Sequence, residues 1–316
     1  MSYVLRKAVL DRVPSVKITK EEFQALATAQ RSLKHAFAIE ERFDNFVSSY
    51  LSLEKRLVGI ESHYTIRASS SYRDLYELQS GLNARMVAFL NSARLYQEHL
   101  FTHVRRCVPK NAHVVDRLRA MLDNERDRHF EYRFIEALRD YVNNHGMPVH
   151  HVSHRTKSWQ SISNETVEFS LDTFVRREVL GATGGFSTVV LDEMPDTVNL
   201  KVACRRYVDS INSINTYTRR SFEEVLSESR ECIDRAYSTY HRVYPANPIG
   251  LCAMNTVNGV PQSSLALARE WDVVREELVA KNTKVFGLRR HLATGREWIM
   301  STSPEARIAH AEPQVG

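Results

Sequence analysis

Cysteine is scarce in this chain, and its four copies, Cys107, Cys204, Cys232 and Cys252, lie far apart with no C-x-x-C pair. That excludes a zinc knuckle and a disulfide framework, and it fits a reducing cytoplasm. Long apolar runs are also missing. No window approaches about eighteen uninterrupted apolar residues, and the first residues carry Arg6, Lys7, Asp11 and Arg12 rather than an apolar core. Neither a signal peptide nor a membrane span is therefore expected, and the protein should be cytoplasmic with no membrane partner. Internal repeats and low-complexity tracts are absent too. Charge of one sign is not dominant: 43 basic against 38 acidic residues give +5, compatible with a polyanionic partner without demanding one. With 316 residues and 43% hydrophobic content, the chain can bury at least one sizeable core.

What is present is helical periodicity. After a mixed lead over residues 1–18, Thr19 followed by Glu22 forms a capping-box signal. From there Phe23, Leu26, Gln30, Leu33, Phe37, Glu40, Phe43, Val47, Tyr50, Glu54 and Leu57 recur at threes and fours, predicting a helix of roughly 40 residues that ends near Gly59. The serines 69–71 with Asp74 start a second stripe, Leu75 to Val104, that stops at Pro109. A third runs from an Asn111 cap through Val114, Leu118, Met121, Glu125, Tyr132, Leu138 and Val142. Gly146, in a left-handed cap, and Pro148 end it. Between 147 and 194, β-branched and aromatic residues predict a small β hairpin or meander. Its Gly181–Gly185 stretch lacks the ending of a phosphate loop and is taken as a turn. A fourth helix over 195–245, with a potential break near Ser221, then completes the bundle, the β excursion being the crossover that brings it back. Residues 246–264 look like loop, a further helical pattern covers about 265–292, and the tail from 301 is expected to be disordered. The expected fold is mainly α: a long-helix, four-helix-type bundle with a β excursion before its last long helix.

One stretch, residues 138–148, carries a specific chemistry. Five Arg-x(4–6)-His spacings occur in the chain, Arg56/His63, Arg94/His99, Arg106/His113, Arg139/His145 and Arg235/His241, so spacing alone means nothing. Only Arg139 is followed by an acid, Asp140, and only its pair lies at a helix end marked by Gly and Pro. Arg139-Asp140-x-x-x-x-His145 within a long-helix bundle resembles the HEPN superfamily, whose ribonuclease members carry Arg, a polar residue, a short spacer and His.

The resemblance implies a metal-independent endoribonuclease, a toxin or anti-phage effector. Its site would be shared across a homodimer, RNA would be its substrate, an antitoxin protein a further partner, and no cofactor or metal is called for. Attack by the 2′-hydroxyl of RNA needs a base, an acid and a cation at the phosphorane. Imidazole is the side chain that exchanges a proton near neutral pH, so His145 fits the base or acid. Arg139 supplies a fixed guanidinium fork, and Asp140 an orienting carboxylate. Asn143 and Asn144 support the end of the helix. Arg139 and His145 lie about 120° apart on an ideal helix, so convergence requires unwinding near Asn143 or a second chain. Downstream, His150, His151, His154, Arg155 and Lys157 form a basic strip suited to RNA phosphates, with Trp159 beside it. Metal ligation by the three histidines is disfavoured, since no acid or cysteine lies close by to complete a set. Glu125 and Tyr132, fourteen and seven residues before Arg139, would share its face, with Glu125 paired to an arginine at the bundle edge. Two other readings compete: a non-catalytic helical module that binds nucleic acid or protein, and a purely structural dimerising bundle.

Overall fold

The computed structural model describes residues 2–8, 13–66, 71–109, 111–161, 164–245, 249–258, 260–283 and 285, with the side chains of 65, 112 and 154–170 outside that set. The chain opens with two short strands, β1 (Ser2–Lys7) and β2 (Ser15–Ile18), and then enters the 47-residue helix α1 (Lys20–Ile66). Thr19 caps it as the sequence requires: its N–H donates to Glu22 Oε2 at 2.7 Å and its Oγ1 accepts from Glu22 N–H at 3.1 Å. Helix α2 (Tyr72–Cys107) follows, its Ser71 Oγ accepting from Asp74 N–H at 3.2 Å.

Next come α3 (Ala112–Arg128) and α4 (Phe130–Asn144), where the sequence predicted one helix. The chain breaks at His129, which adopts an extended conformation (φ −119°, ψ 110°), and Asn111 makes no side-chain cap bond to α3. The β region is a long hairpin, β3 (His151–Ser161) and β4 (Asn164–Arg176), extended by β5 (Thr197–Asn199) into a three-stranded antiparallel sheet. Two short helices, α5 (Arg177–Ala182) and α6 (Thr188–Glu193), intervene. Helix α7 (Leu200–Val243) then runs unbroken through Ser221. It starts at an Asn199 cap, whose Oδ1 accepts from Val202 N–H at 3.3 Å, and not at Pro195. Residues expected to be loop form β6 (Leu251–Val257) and β7 (Val260–Ala266), and the last helix is α8 (Glu270–Lys281). With β1 and β2 these strands make an antiparallel sheet in the order β2-β1-β6-β7. The expected tail from 301 lies outside the described residues.

Cross-helix contacts set the directions. Tyr50 meets Phe89, Phe43 meets Tyr96 and Ser32 bonds to the Cys107 carbonyl, so α1 and α2 are antiparallel. Cys204 approaches Met86 while Asn215 bonds Tyr96, so α7 runs parallel to α2. Gln97 contacts Tyr132 whereas Asn83 reaches Val149, which makes α4 antiparallel to α2. The bundle is mainly α and alternates up and down, with an aromatic core that includes Phe43, Phe46, Phe89, Tyr96, Tyr132 and Tyr207.

Helix α4 therefore ends where α7 begins, and the β3–β4–β5 sheet caps that end rather than crossing the bundle's length as expected. Leu171 N–H and Lys201 Nζ both bond Glu61 near the end of α1. The four-stranded sheet caps the opposite end, where Tyr240 bonds the Pro14 carbonyl and Tyr237 the Leu267 carbonyl.

Polar pairs set the register of α1 against α7. Arg219 grips Glu40 with two bonds of 2.8 and 2.6 Å, and Arg205 grips Glu54 at 2.9 and 3.0 Å. The Glu40 side chain is only 5% exposed, so losing its partner would leave a buried charge. Arg219→Met should lower the unfolding free energy by about 3 kcal/mol, and adding Glu40→Leu should recover most of it in urea titrations. Burial alone would raise the Glu54 carboxyl, but the Arg205 bond and charge and the Tyr50 hydroxyl outweigh it and hold it below its ordinary 4.5. Because its folded value is depressed, the stability it contributes is complete above about 4.5 and is lost as pH falls through the lowered value. The urea midpoint should drop on acidification below that point, and Glu54→Gln should flatten the drop; an equal slope in both proteins would refute the linkage.

Candidate functional site

Helix α4 positions the candidate residues. Its buried face, Tyr132, Phe134, Ile135, Leu138 and Tyr141, packs against α2, α6 and α7, with Tyr132 against Tyr207 at 5.1 Å between ring centroids. Arg139 sits at the edge of that face, its side chain 16% exposed against 66% for Asp140. Its Nε donates to Asp140 Oδ1 at 3.1 Å and its Nη1 to Gln97 Oε1 on α2 at 2.9 Å. Gln97 is held in turn: its Nε2 donates to the Tyr132 hydroxyl at 2.6 Å and to Glu136 Oε1 at 3.2 Å, and Arg126 closes the chain on Glu136. Among the described residues, Arg139 Nη2 makes no hydrogen bond. The guanidinium is thus braced from both sides and keeps one terminal nitrogen uncommitted.

His145 is the C-cap, its N–H donating to the Tyr141 carbonyl at 2.8 Å. Its exposed imidazole stacks on the Tyr141 ring, centroids 5.8 Å apart and planes 25° apart. The ring also fills the space left by a missing side chain: a Cβ on Gly185 would fall 2.3 Å from His145 Nε2. Neither ring nitrogen bonds the protein among the described residues.

The helix stays regular through Asn144, whose side chain bonds the Asp140 carbonyl at 3.2 Å, so the expected unwinding at Asn143 does not occur. Asn143 and Asn144 are both exposed. Gly146 is not left-handed either; the glycines with positive φ among the described residues are Gly184 and Gly250. Gly146 is required for a different reason, since a Cβ there would lie 2.7 Å from the Tyr141 hydroxyl. Within one chain, then, Arg139 faces Gln97 and Asp140 while His145 faces Tyr141 and Gly185, and no contact joins the two among the described residues.

The break at His129 removes Glu125 from this surface. Its carboxylate lies 3.7 Å from His129 Nε2 rather than beside an arginine. In the strip, His150 is committed to the sheet: its Nδ1 accepts Arg176 N–H at 3.1 Å, and burial pulls its pKa below the usual histidine value. His151 is exposed and stacks on Phe174 at 6.3 Å. His154, Arg155 and Lys157 occupy β3 opposite Leu171, Ser170 and Glu168; their side chains, like that of Trp159, are outside the described set.

Gln97 and Gly185 were not anticipated as site residues. Gln97 belongs to another helix, and nothing local ties it to Arg139; the Gly184-Gly185 pair was visible, but only as a turn. No helix among the described residues is long and apolar enough to cross a membrane. Compared with known proteins, the chain matches no family model, no curated protein and no solved structure.

The notch at Gly185 gives a direct test. Gly185→Ala should push the imidazole off Tyr141, seen as a loss of the ring-current shift on the His145 signals, while stability falls by only about 1 kcal/mol because an exposed ring can swing out. Unchanged His145 shifts would overturn the packing.

Proposed function

We propose that the chain is a metal-independent endoribonuclease whose active site forms between two copies. One observation carries the reading: a braced guanidinium whose Nη2, and an exposed imidazole whose nitrogens, have no hydrogen-bond partner among the described residues sit six residues apart at one helix end. The resemblance of Arg139-Asp140-x-x-x-x-His145 to the HEPN motif supports it.

In the proposed reaction the substrate 2′-oxygen bonds to the adjacent phosphorus, and His145 of one chain takes its proton. The P–O5′ bond breaks, and the leaving oxygen takes a proton from the second His145, giving a 2′,3′-cyclic phosphate and a 5′-hydroxyl. Arg139 meets the charge on the phosphorane oxygens, and Asp140 keeps its fork in place. A two-fold axis beside the end of α4 brings Arg139 of one copy toward His145 of the other, which one regular helix cannot do. An inhibitory protein covering this end would be the corresponding antitoxin.

The alternative is a non-catalytic module that binds nucleic acid or protein. It is favoured by the separate partners that Arg139 and His145 have within one chain. Incubating the purified protein with RNA in EDTA separates the two. Cleavage should fall about 100-fold or more in His145→Ala and in Arg139→Gln, and mixing His145→Ala with the wild type should lower the rate further than dilution does, because a dimer with one His145 lacks either the base or the acid. RNA left intact by the wild type, or cut equally by His145→Ala, would sink the enzyme reading; binding without cleavage would establish the module.

A further inference from the structure

Among the described residues the two sheets end in four edge strands, and these are not equally guarded. β2 has four residues and β5 three, while β7 carries Pro261 and its pairing with β6 shifts register between Asn255 and Thr256. Short length, proline and a bulge each keep another strand from pairing. β3 has none of them. It is 11 residues long, contains no proline, and pairs with β4 without a break from His151 opposite Phe174 to Ser161 opposite Asn164. β4 is the element that packs along it, and its other side carries no strand among the described residues.

The bonds of β4 fix which backbone groups of β3 face that open side. Leu171 N–H donates to Glu61 Oε1 at 3.2 Å and its carbonyl accepts from Lys201 Nζ at 3.0 Å, so Leu171 directs both groups away from β3. Arg176 N–H, of opposite parity, goes to His150 on the β3 side at 3.1 Å. Along an antiparallel ladder, bonded and unbonded pairs alternate. His154 opposite Leu171 is therefore an unbonded pair, and Ser153, Arg155, Lys157 and Trp159 bond Asp172, Ser170, Glu168 and Thr166. Val152, His154, Thr156, Ser158 and Gln160 are left with N–H and C=O directed to the open edge, a template for a further strand.

Charge decides which strand fits. β3 carries Arg155 and Lys157 and no acid. A second copy of β3 is disfavoured, because its fullest antiparallel overlap, centred on Thr156, sets Arg155 against Lys157. A phosphate backbone is poorly matched as well: the register separates His154 from the face that holds Arg155 and Lys157, and it places Asp172 and Glu168 on that same face. We propose that the open edge of β3 takes an extended acidic segment of a partner protein as a fourth strand of its sheet, with Asp or Glu at two positions two residues apart beside Arg155 and Lys157. The backbone of the segment bonds the outward groups of β3, and its acids set the register. This surface does not depend on cleavage at α4.

The test uses the full chain carrying His145→Ala, so that RNA survives, with the peptide TVEVEVT as probe. Site-resolved hydrogen exchange should show the Thr156 and Ser158 amides slowed about tenfold by the peptide, with Arg155 and Lys157, already bonded to β4, unchanged. In anisotropy with the fluorescein-labelled peptide, Thr156→Pro should weaken binding about tenfold, since it removes an outward N–H. It spares the ladder to β4, so protection at Arg155 and Lys157 should persist in that variant. Arg155→Ser and Lys157→Ser should each weaken binding about threefold, and the peptide TVKVKVT should bind about tenfold more weakly than TVEVEVT. No added protection at millimolar peptide, equal binding of the two peptides, or Thr156→Pro binding like the parent would each overturn the proposal. Displacement of the acidic peptide by a uridine oligomer would overturn it in favour of a nucleic-acid strip, and Thr156 and Ser158 amides already protected in a dimer of the free chain would overturn it in favour of self-pairing, whatever the outcome of the cleavage assay.

Discussion

Two forked ion pairs between the two longest helices, Glu40 with Arg219 and Glu54 with Arg205, set the frame to which the rest of the structure is attached. Buried ion pairs add little net stability, because desolvating both charges offsets most of their attraction. Their effect is on register. The pairs lie fourteen residues apart on each helix, so sliding α7 by one heptad brings Arg205 to Glu61 but sets Arg219 against Val47 and Glu40 against Leu226. Sliding it the other way faces the arginines with Leu33 and Val47. Either slip buries unpaired charges, a penalty that an all-apolar seam between helices of 47 and 44 residues would not impose.

Once that register is set, the two ends of the bundle follow. Lys201 falls beside Glu61, and Glu61 also accepts Leu171 N–H, which anchors the three-stranded sheet. Tyr207, six residues after Lys201, faces Tyr132 and seats α4, while Gln97 ties α4 to α2 through Arg139 and Tyr132. The position of the guanidinium thus depends on three helices, although the motif containing it is written on one.

The long elements were legible because their periods are long. Thr19 with Glu22 and Ser71 with Asp74 marked starts that the hydrogen bonds match, and Glu40 and Glu54 already stood within the apolar stripe of α1. The break at His129 was hidden because the three-four spacing runs through it without a change of phase. Strands β1 and β6 were missed for another reason: Tyr3 pairs with Asn255 and Leu5 with Ala253, partners some 250 residues away, and only that pairing makes strands of segments read as a lead and a loop. At the site, Arg139, Asp140 and His145 could be read from the chain, but Gln97 and Gly185 reach them through tertiary packing alone. Gly146 was given the wrong reason, since its small size answers to the Tyr141 hydroxyl and not to its own backbone angle.

The regularity of α4 constrains the proposed chemistry. With the helix intact to Asn144, Arg139 and His145 remain about 120° apart, and rotating either side chain cannot bring both to one phosphorus. Each is also held where it is. Arg139 is tied at Nε and Nη1, and the imidazole lies on Tyr141 in the notch of Gly185. A site that had to close by local movement would have to break these contacts in every turnover. A site completed by a second copy leaves them intact and uses what each chain has unspent, one guanidinium nitrogen and one imidazole. In the proposed dimer, the rigidity that separates the two groups within a chain would fix them across the axis.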